Sequence, residues 1–146
     1  MSRKSIDELL EEARARLERL EPEEALAAQS AGALLIDTRS GDERARLGVI
    51  PGSLHVPLSV LEWRLDPDSD PEYRNPHVTG LDQWIVLVCA HGCSTSLAAA
   101  RLRDLGFARA TDLVGGFEAW KELGLPVSPS PEPDGAAVPG MGGPDL

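Results

Sequence analysis

The segment Val88-Cys-Ala-His-Gly-Cys-Ser-Thr-Ser96 contains the side chains best suited to covalent chemistry. It joins an apolar, β-branched run at Trp84–Cys89 to a helical pattern that continues through Leu97. A short glycine-containing loop that enters a helix can turn backbone N–H groups toward one point, where they stabilise negative charge. A cysteine at that point has a lowered pKa and is held as the nucleophilic thiolate. Cys89 is therefore the candidate nucleophile, at the strand end where open α/β sheets bind ligands.

The same loop also has a purely structural interpretation. Cys89 is then a buried residue at a strand end, and Ser94, Thr95 and Ser96 are ordinary helix caps. The hydroxyls of these three residues can cap the helix and also donate hydrogen bonds into the loop. The loop alone does not separate the two interpretations.

Metal binding is a further interpretation of the loop, because the side chains of Cys89, His91 and Cys93 are soft ligands. Structural zinc sites use four ligands, with cysteine pairs spaced by two to four residues. Nothing in the sequence places His55 or His77 near the loop. We predict no metal and no other cofactor.

Strands and helices alternate along the chain, and this alternation predicts an α/β layered fold. The continuous hydrophobicity of the strand before the loop is typical of a parallel strand that is covered on both faces. The predicted strands are Ala33–Ile36, Trp84–Cys89 and Ala110–Val114. The predicted helices run from Pro22 to before Gly32, through Leu97–Leu105 and from Gly115-Gly116 to Gly124, and residues 65–80 are predicted to be a long connection.

Composition divides the chain into three segments. Residues 1–20 are predicted to be an N-terminal amphipathic helix, because Ser5 and Glu8 fit a capping box and apolar residues recur at helical spacing. Residues 21–127 carry the alternating pattern of a single domain. Residues 128–146 are rich in proline and glycine and lack aromatic residues, so they are predicted to be a disordered tail.

Charge and hydrophobicity exclude several classes of function. The 146 residues include 14 Lys and Arg against 24 Asp and Glu, a net charge of −10, which repels nucleic acids and anionic membranes. The longest apolar run, Trp84–Ala90, is too short to span a bilayer, and the N-terminus has no apolar signal core. We expect a cytoplasmic protein that is a monomer or a weak homodimer and binds neither nucleic acid nor membrane.

Six short motifs follow one another in an order that resembles the rhodanese-like family of single-domain sulfurtransferases. The resemblance covers roughly Glu21 to Val127 and implies a central parallel sheet of five strands with helices on both faces. The motifs are Leu35-Ile-Asp-Thr-Arg39, Gly48-Val-Ile-Pro-Gly-Ser-Leu-His-Val-Pro57, the Cys89 loop, Leu105-Gly-Phe107, Val114-Gly-Gly-Phe-Glu-Ala-Trp120 and Gly124-Leu-Pro126.

The resemblance also implies an activity. Cys89 corresponds to the family's catalytic cysteine, which takes the outer sulfur of a donor such as thiosulfate and forms a persulfide. A thiophilic acceptor, cyanide or a thiol, then removes that sulfur, so ping-pong kinetics are expected. The loop backbone holds the persulfide charge in this family, and the corresponding residues here are Ala90, His91, Gly92, Cys93, Ser94 and Thr95.

The loop departs from the family in its charge. Many members have Arg or Lys side chains here, whereas this loop has none; Ser94 stands where an Arg is often found, and only His91 could carry positive charge. At a net charge of −10 the attraction for free thiosulfate is weakened. We expect the donor to be a small persulfide or a persulfide-carrying protein, with thiosulfate a poor substitute.

Three alternatives follow from the resemblance. Related folds use a Cys-x₅-Arg loop for phosphatase or arsenate-reductase chemistry, but the residue six positions after Cys89 is Thr95, so a phosphoryl dianion has no guanidinium clamp. A non-catalytic rhodanese-like binding or sensing module stays open, as does a redox switch between Cys89 and Cys93. Cys93 is otherwise a resolving thiol for the persulfide, or a small neutral residue with its thiol turned away.

The remaining motif residues are interpreted as structural. Asp37 and Arg39 follow a strand end and are expected to pair with neighbouring groups, and His55 is expected to make a structural hydrogen bond. Gly115-Gly116 is expected to form a tight strand-to-helix turn. Three tryptophans at periodic apolar positions are assigned to the core: Trp63, Trp84 and Trp120.

Overall fold

A sheet of four parallel strands lies at the centre of the computed structural model, which describes residues 2–131. In chain order the strands are β1 (Leu34–Asp37), β2 (Leu54–His55), β3 (Ile85–Val88) and β4 (Ala110–Asp112). They lie in the order β2-β1-β3-β4, and every neighbouring pair is parallel. The strand before the cysteine loop, β3, therefore has a parallel neighbour on each edge.

Helices cover both faces of this sheet. On one face Ile85 and Leu87 of β3 lie in a core cluster with Leu61 and Leu102, and on the other Val86 and Val88 lie in a cluster with Trp120. Among the described residues, no helix combines the length and the apolar composition needed to cross a membrane. The helices are α1 (Ile6–Ala15), α2 (Pro22–Ser30), α3 (Gly41–Leu47), α4 (Leu61–Leu65, preceded by a 3₁₀ turn at Leu58–Val60), α5 (Ser94–Leu105) and α6 (Gly116–Glu122).

The expectation of five strands is wrong for the described part of the chain, where the sheet has four. Leu20 alone occupies the position beside β4, in a parallel bridge to Leu113. Its N–H donates to the carbonyl of Asp112 and its carbonyl accepts from the N–H of Val114. Pro22 begins α2 two residues later, so the chain leaves the sheet before a ladder can form.

The N-terminal helix is shorter than the pattern over residues 5–20 suggested. The capping box of Ser5 and Glu8 is present, and α1 ends at Ala15. Ala13 is buried where α1 packs against α5, whereas Ile6 and Leu9 on the same helix are exposed. The residues after α1 lead to the sheet edge at Leu20, which sets where the helix must end.

Several short elements were not anticipated from the sequence. Helices α3 and α4 and strand β2 have at most seven residues each, too few to show a clear period. The assignment of Trp63 to the core is wrong, because 50% of this residue is exposed. Trp84 is half-buried, and Trp120 is buried with its indole N–H donating to the carbonyl of Pro126.

Two irregular segments remain, the connection before β3 and the predicted C-terminal tail. Residues 66–84 contain no helix or strand, as expected for a long connection, although Asn75 and Val78 are buried in it. Ser128, the first residue of the predicted tail, forms a backbone bridge with Val49. Residues 132–146 of that tail lie outside the described residues.

A buried ion-pair cluster anchors the carboxyl end of β1. Arg39 donates to both carboxylate oxygens of Asp37, through Nε at 3.0 Å and Nη2 at 2.8 Å, and Arg44 of α3 donates through Nε at 3.2 Å. The ring Nε2 of His55, at the end of β2, lies 2.7 Å from the carbonyl of Arg39. The predictions that Asp37 and Arg39 pair locally and that His55 makes a structural hydrogen bond are confirmed.

The buried cluster predicts a large difference between two aspartates. Asp37→Asn leaves two buried guanidinium groups without their counter-charge, so we expect it to lower the free energy of unfolding by about 3–5 kcal/mol. Asp42→Asn is the matched control, because Asp42 pairs with Arg46 on the surface, and such pairs contribute about 1 kcal/mol or less. Urea unfolding of both variants measures the difference, and equal losses would contradict the assignment.

Candidate active site

Cys89 lies directly after β3 and is buried, with 7% of the residue exposed. The backbone N–H of Gly92 donates to its Sγ at 3.1 Å, and the hydroxyl oxygen of Thr95 lies 3.2 Å from the same sulfur. The thiol is therefore enclosed by donors from the loop that follows it, at the carboxyl end of a central parallel strand.

Two opposing effects determine the acidity of this thiol. Burial alone raises the pKa of Cys89, since the anion is removed from water. Hydrogen bonds from the hydroxyl and backbone of Thr95, the hydroxyl of Ser94 and the backbone of Gly92 act in the opposite direction and, together, hold the pKa of the Cys89 thiol below its ordinary value. The site thus favours the thiolate, which is the nucleophilic form of cysteine.

The loop keeps its shape because two glycines allow close backbone contact. At Gly92, where φ is +80°, a Cβ atom would lie 2.7 Å from the backbone nitrogen of Gly115. At Gly116, where φ is +63°, a Cβ atom would overlap the carbonyl of Cys89 and lie 2.7 Å from the carbonyl carbon of Ala90. The Gly115-Gly116 turn is confirmed, and its lack of side chains has the further effect of letting α6 approach the loop.

The first turn of α6 then holds the loop by hydrogen bonds. The N–H of Phe117 donates to the carbonyl of Cys89 at 2.8 Å, and the N–H of Glu118 donates to the carbonyl of Ala90 at 3.1 Å. Since α6 donates to both carbonyls, it fixes the start of the loop. Helix α6 packs on one face of the sheet and α5 on the other.

Asp112, at the end of β4, is the buried acceptor behind the loop. It is fully buried, and its Oδ2 accepts from the hydroxyls of Thr95 at 3.0 Å and Ser96 at 2.8 Å. Arg19 donates to its Oδ1 at 2.8 Å. The hydroxyl of Thr95 has one hydrogen, which it donates to Asp112. In that state the hydrogen bond between Cys89 and Thr95 must be donated by the S–H of Cys89 to the hydroxyl oxygen. Once Cys89 is a thiolate, that hydroxyl hydrogen is the one available to the sulfur.

The interpretation of Ser94, Thr95 and Ser96 as caps is wrong, because all three lie inside α5. The N-cap residue is Cys93, and its side chain makes no capping hydrogen bond. The hydroxyls of Thr95 and Ser96 donate instead to the carboxylate of Asp112, because a buried charge requires such donors.

Two arginines from the N-terminal segment reach the middle of the loop. Arg14 of α1 donates through Nη2 to the carbonyl of Gly92 at 2.9 Å, and Arg19 donates to the same carbonyl at 2.9 Å. Arg14 also donates through Nε to the hydroxyl of Ser96 at 3.1 Å. The N-terminal segment is thus part of the surroundings of Cys89.

A cavity of about 450 Å³ lies beside the loop. Phe117 forms part of its wall, with the guanidinium of Arg39 stacked 3.9 Å from the ring centroid. His91 is exposed, and its Nδ1 lies 2.6 Å from a carboxylate oxygen of Glu118. The cavity is lined by Arg39, Glu43, Leu47, Ala90, His91, Phe117, Glu118, Lys121 and Glu122.

The structure divides the expected loop residues into three groups. Gly92, Ser94 and Thr95 contact the sulfur of Cys89. Ala90 and His91 face the cavity. Cys93 is an exposed free thiol.

Sequence reasoning missed Asp112, Arg14 and Arg19. Asp112 had a usable signal, because it follows an apolar run at a strand end and so lies at the same sheet edge as Cys89. The arginines had none: Arg14 belongs to a helix surface rich in charges of both signs, Arg19 lies in the segment after that helix, and only the tertiary packing brings them to the loop.

Comparison with known proteins places this geometry in a family. A family model for the rhodanese-like domain matches residues 21–123. Thiosulfate sulfurtransferase GlpE of Stutzerimonas stutzeri is 37% identical over 103 residues, which are 70% of this chain and 84% of that protein. The GlpE protein of Pseudomonas syringae pv. syringae is 38% identical over 103 residues, covering 70% of this chain and 86% of its own.

Solved structures share the fold. A Rhodopseudomonas palustris protein of unknown function, described as a possible tyrosine phosphatase, superposes with a TM-score of 0.78 and 33% identity, covering 88% of this chain and 97% of that one. A human single-domain sulfurtransferase superposes with a TM-score of 0.58 and 28% identity, covering 71% of this chain and 95% of that one. Since the family model covers most of the described residues and the relatives match along most of their own length, this chain belongs to the rhodanese-like domain family.

Proposed function

We propose that this protein is a sulfurtransferase that carries sulfane sulfur as a persulfide on Cys89. The observation that carries the proposal is the thiol itself, buried at the end of β3 with its pKa lowered by donors from Gly92, Ser94 and Thr95. Membership of the rhodanese-like family, and relatives that are thiosulfate sulfurtransferases, support the same activity.

The reaction has two half-reactions. The Cys89 thiolate attacks the outer sulfur of the donor, a new S–S bond forms, and the donor's S–S bond breaks with its electron pair leaving on the donor remnant, which is sulfite when the donor is thiosulfate. An acceptor thiolate or cyanide then attacks the outer sulfur, and the electron pair of the persulfide bond returns to Cys89. The backbone N–H groups of Gly92 and Thr95, which donate to the sulfur, are placed to stabilise its charge.

A phosphatase activity, which the description of the Rhodopseudomonas palustris protein raises, is not supported by the residues of this loop. The position six residues after Cys89 is Thr95, and its hydroxyl donates to the carboxylate of Asp112. A phosphoryl dianion there would meet a buried negative charge in place of a guanidinium clamp.

The choice of donor is the finer part of the proposal. We infer a persulfide donor, small or protein-bound, because the cavity beside the loop is lined by three glutamates against Lys121 and Arg39, and Arg39 is already paired with Asp37. The chain also has a net charge of −10. These charges disfavour a free dianion. Because two relatives are named as thiosulfate sulfurtransferases, we expect thiosulfate to be a second donor at the same site.

Intact-mass measurement tests the first half-reaction. The reduced protein, incubated with thiosulfate or with a small organic persulfide, is expected to gain one sulfur, and Cys89→Ser is expected to gain none. Cys93→Ser is the matched control and should still gain it. If Cys93→Ser gains no sulfur from either donor while its Cys89 thiol is still alkylated, the proposal is contradicted.

The acidity of Cys89 provides a second test. Thr95→Val removes the hydroxyl that lowers the pKa of this thiol, so the pKa rises and the midpoint of the pH–rate profile for alkylation of Cys89 moves to higher pH. Below that midpoint the thiolate fraction is smaller, and alkylation is slower than in the unsubstituted protein. Thr95→Ser keeps a hydroxyl and should retain the original profile. A valine variant with an unchanged midpoint would remove the assigned role of Thr95.

The charge of the cavity predicts the preference for donors. Glu122→Gln removes one negative charge from its lining, so kcat/KM with thiosulfate should rise about twofold at low ionic strength. The gain should disappear near 1 M salt, where charges are screened within about 3 Å. Glu72→Gln, which alters an exposed carboxylate outside the cavity, serves as the control. A twofold rise in both variants would assign the effect to net charge alone.

A further inference from the structure

We propose that Arg14 and Arg19 are positioning residues of the Cys89 loop, which hold the carbonyl of Gly92 outward and thereby turn the N–H of Cys93 toward the outer sulfur of a bound persulfide. The proposal rests on the proposed sulfurtransferase function. It assigns the N-terminal segment, which precedes the residues matched by the family model, a part in binding the reacting anion.

Two guanidinium groups converge on one carbonyl oxygen. The Nη2 atoms of Arg14 and Arg19 each lie 2.9 Å from the oxygen of Gly92, and the hydroxyl of Ser96 lies 3.4 Å from it. Charge-assisted hydrogen bonds of this kind are about twice as strong as those between neutral groups. The orientation of this carbonyl is therefore fixed more firmly than that of an ordinary loop peptide.

The orientation of the carbonyl decides the orientation of the next N–H. The peptide between Gly92 and Cys93 is planar and trans, so its C=O and N–H point in opposite directions. With the carbonyl held by the arginines, the N–H of Cys93 points away from them. Within residues 2–131, no backbone acceptor takes this N–H, whereas the N–H of Gly92, one peptide earlier, is already engaged by the Cys89 sulfur.

The positive charge of the arginines also acts on the loop electrostatically, through the peptide between Gly92 and Cys93. Arg19 is paired with the carboxylate of Asp112. Within the described part of the chain, Arg14 donates hydrogen bonds to the Gly92 carbonyl and the Ser96 hydroxyl, and no carboxylate lies within ion-pair distance of it. Its charge polarises the Gly92–Cys93 peptide and strengthens the N–H as a donor. A loop without Arg or Lys side chains thus receives positive charge from behind its backbone.

Arg14→Met is the test variant, because it removes the donors while keeping an unbranched side chain of similar length. Arg19 is less suitable, since its loss would leave the buried Asp112 unpaired. Arg14→Lys keeps the charge and one donor. Arg16→Met is the matched control, as Arg16 lies two residues away and pairs with Asp104 on the surface. All variants carry Cys93→Ser, which leaves the backbone N–H in place and removes the second thiol.

The first measurement is the rate at which Cys89 gains sulfur from thiosulfate. We expect about a tenfold decrease in Arg14→Met, less than the roughly 100-fold loss that follows deletion of an anion-binding donor, with partial recovery in Arg14→Lys and no change in Arg16→Met. An unchanged rate in Arg14→Met, or an equal decrease in Arg16→Met, would overturn the proposal.

The second measurement does not depend on sulfur transfer. Alkylation of Cys89 by anionic iodoacetate is compared with alkylation by neutral iodoacetamide, and the iodoacetate-to-iodoacetamide rate ratio should fall severalfold in Arg14→Met. The iodoacetamide rate should stay the same, because the contacts of Gly92 and Thr95 with the inner sulfur remain. Equal slowing with both reagents would indicate general damage to the loop and would overturn the proposal. If the unsubstituted protein gains no sulfur from any donor, the proposed function fails while this ratio still tests the role of Arg14.

Discussion

The carboxylate of Asp112 is the buried charge on which the arrangement of the site depends. A carboxylate removed from water without partners is destabilising by several kcal/mol, so the chain must bring donors to it. They come from different parts of the sequence: Arg19 from the N-terminal segment, and Thr95 and Ser96 from the first turn of α5. Because the same turn of α5 follows the Cys89 loop, satisfying Asp112 also fixes the loop.

Negative and positive side chains occupy different places around the site. The chain has a net charge of −10, and three glutamates are among the residues that line the cavity beside the loop. Two arginines, in contrast, donate to the carbonyl of Gly92 in the loop itself. The pKa of Cys89 is thus lowered by hydroxyl and backbone donors around the sulfur, without a basic side chain in the loop. Such a site binds an anion that forms within it better than one that must approach from water.

The sequence was sufficient to predict the α/β class and the position of Cys89 at the end of a buried strand, because both depend on local signals. The continuous apolar run of β3 and the glycine-containing loop after it predicted where the thiol lies. The number of strands depended on how far the chain runs beside β4 at Leu20, which no local pattern reports. Arg14 could not be distinguished from its neighbours, since its role arises from the packing of α1 on α5. Trp63 shows the same limit, as an apolar position with nothing packed over half of its surface.

The separation of Arg19 and Asp112 along the chain has a consequence for biosynthesis. The two residues are 93 positions apart, and ribosomes add about 5–20 residues per second. Arg19 is therefore made roughly 5–20 s before its partner exists. Until β4 has been translated, the hydroxyls of Thr95 and Ser96 and the guanidinium of Arg19 lack the carboxylate that binds all three. The nascent chain thus carries Cys89 without its completed surroundings, and the reactive site matures only when almost the whole domain has been synthesised.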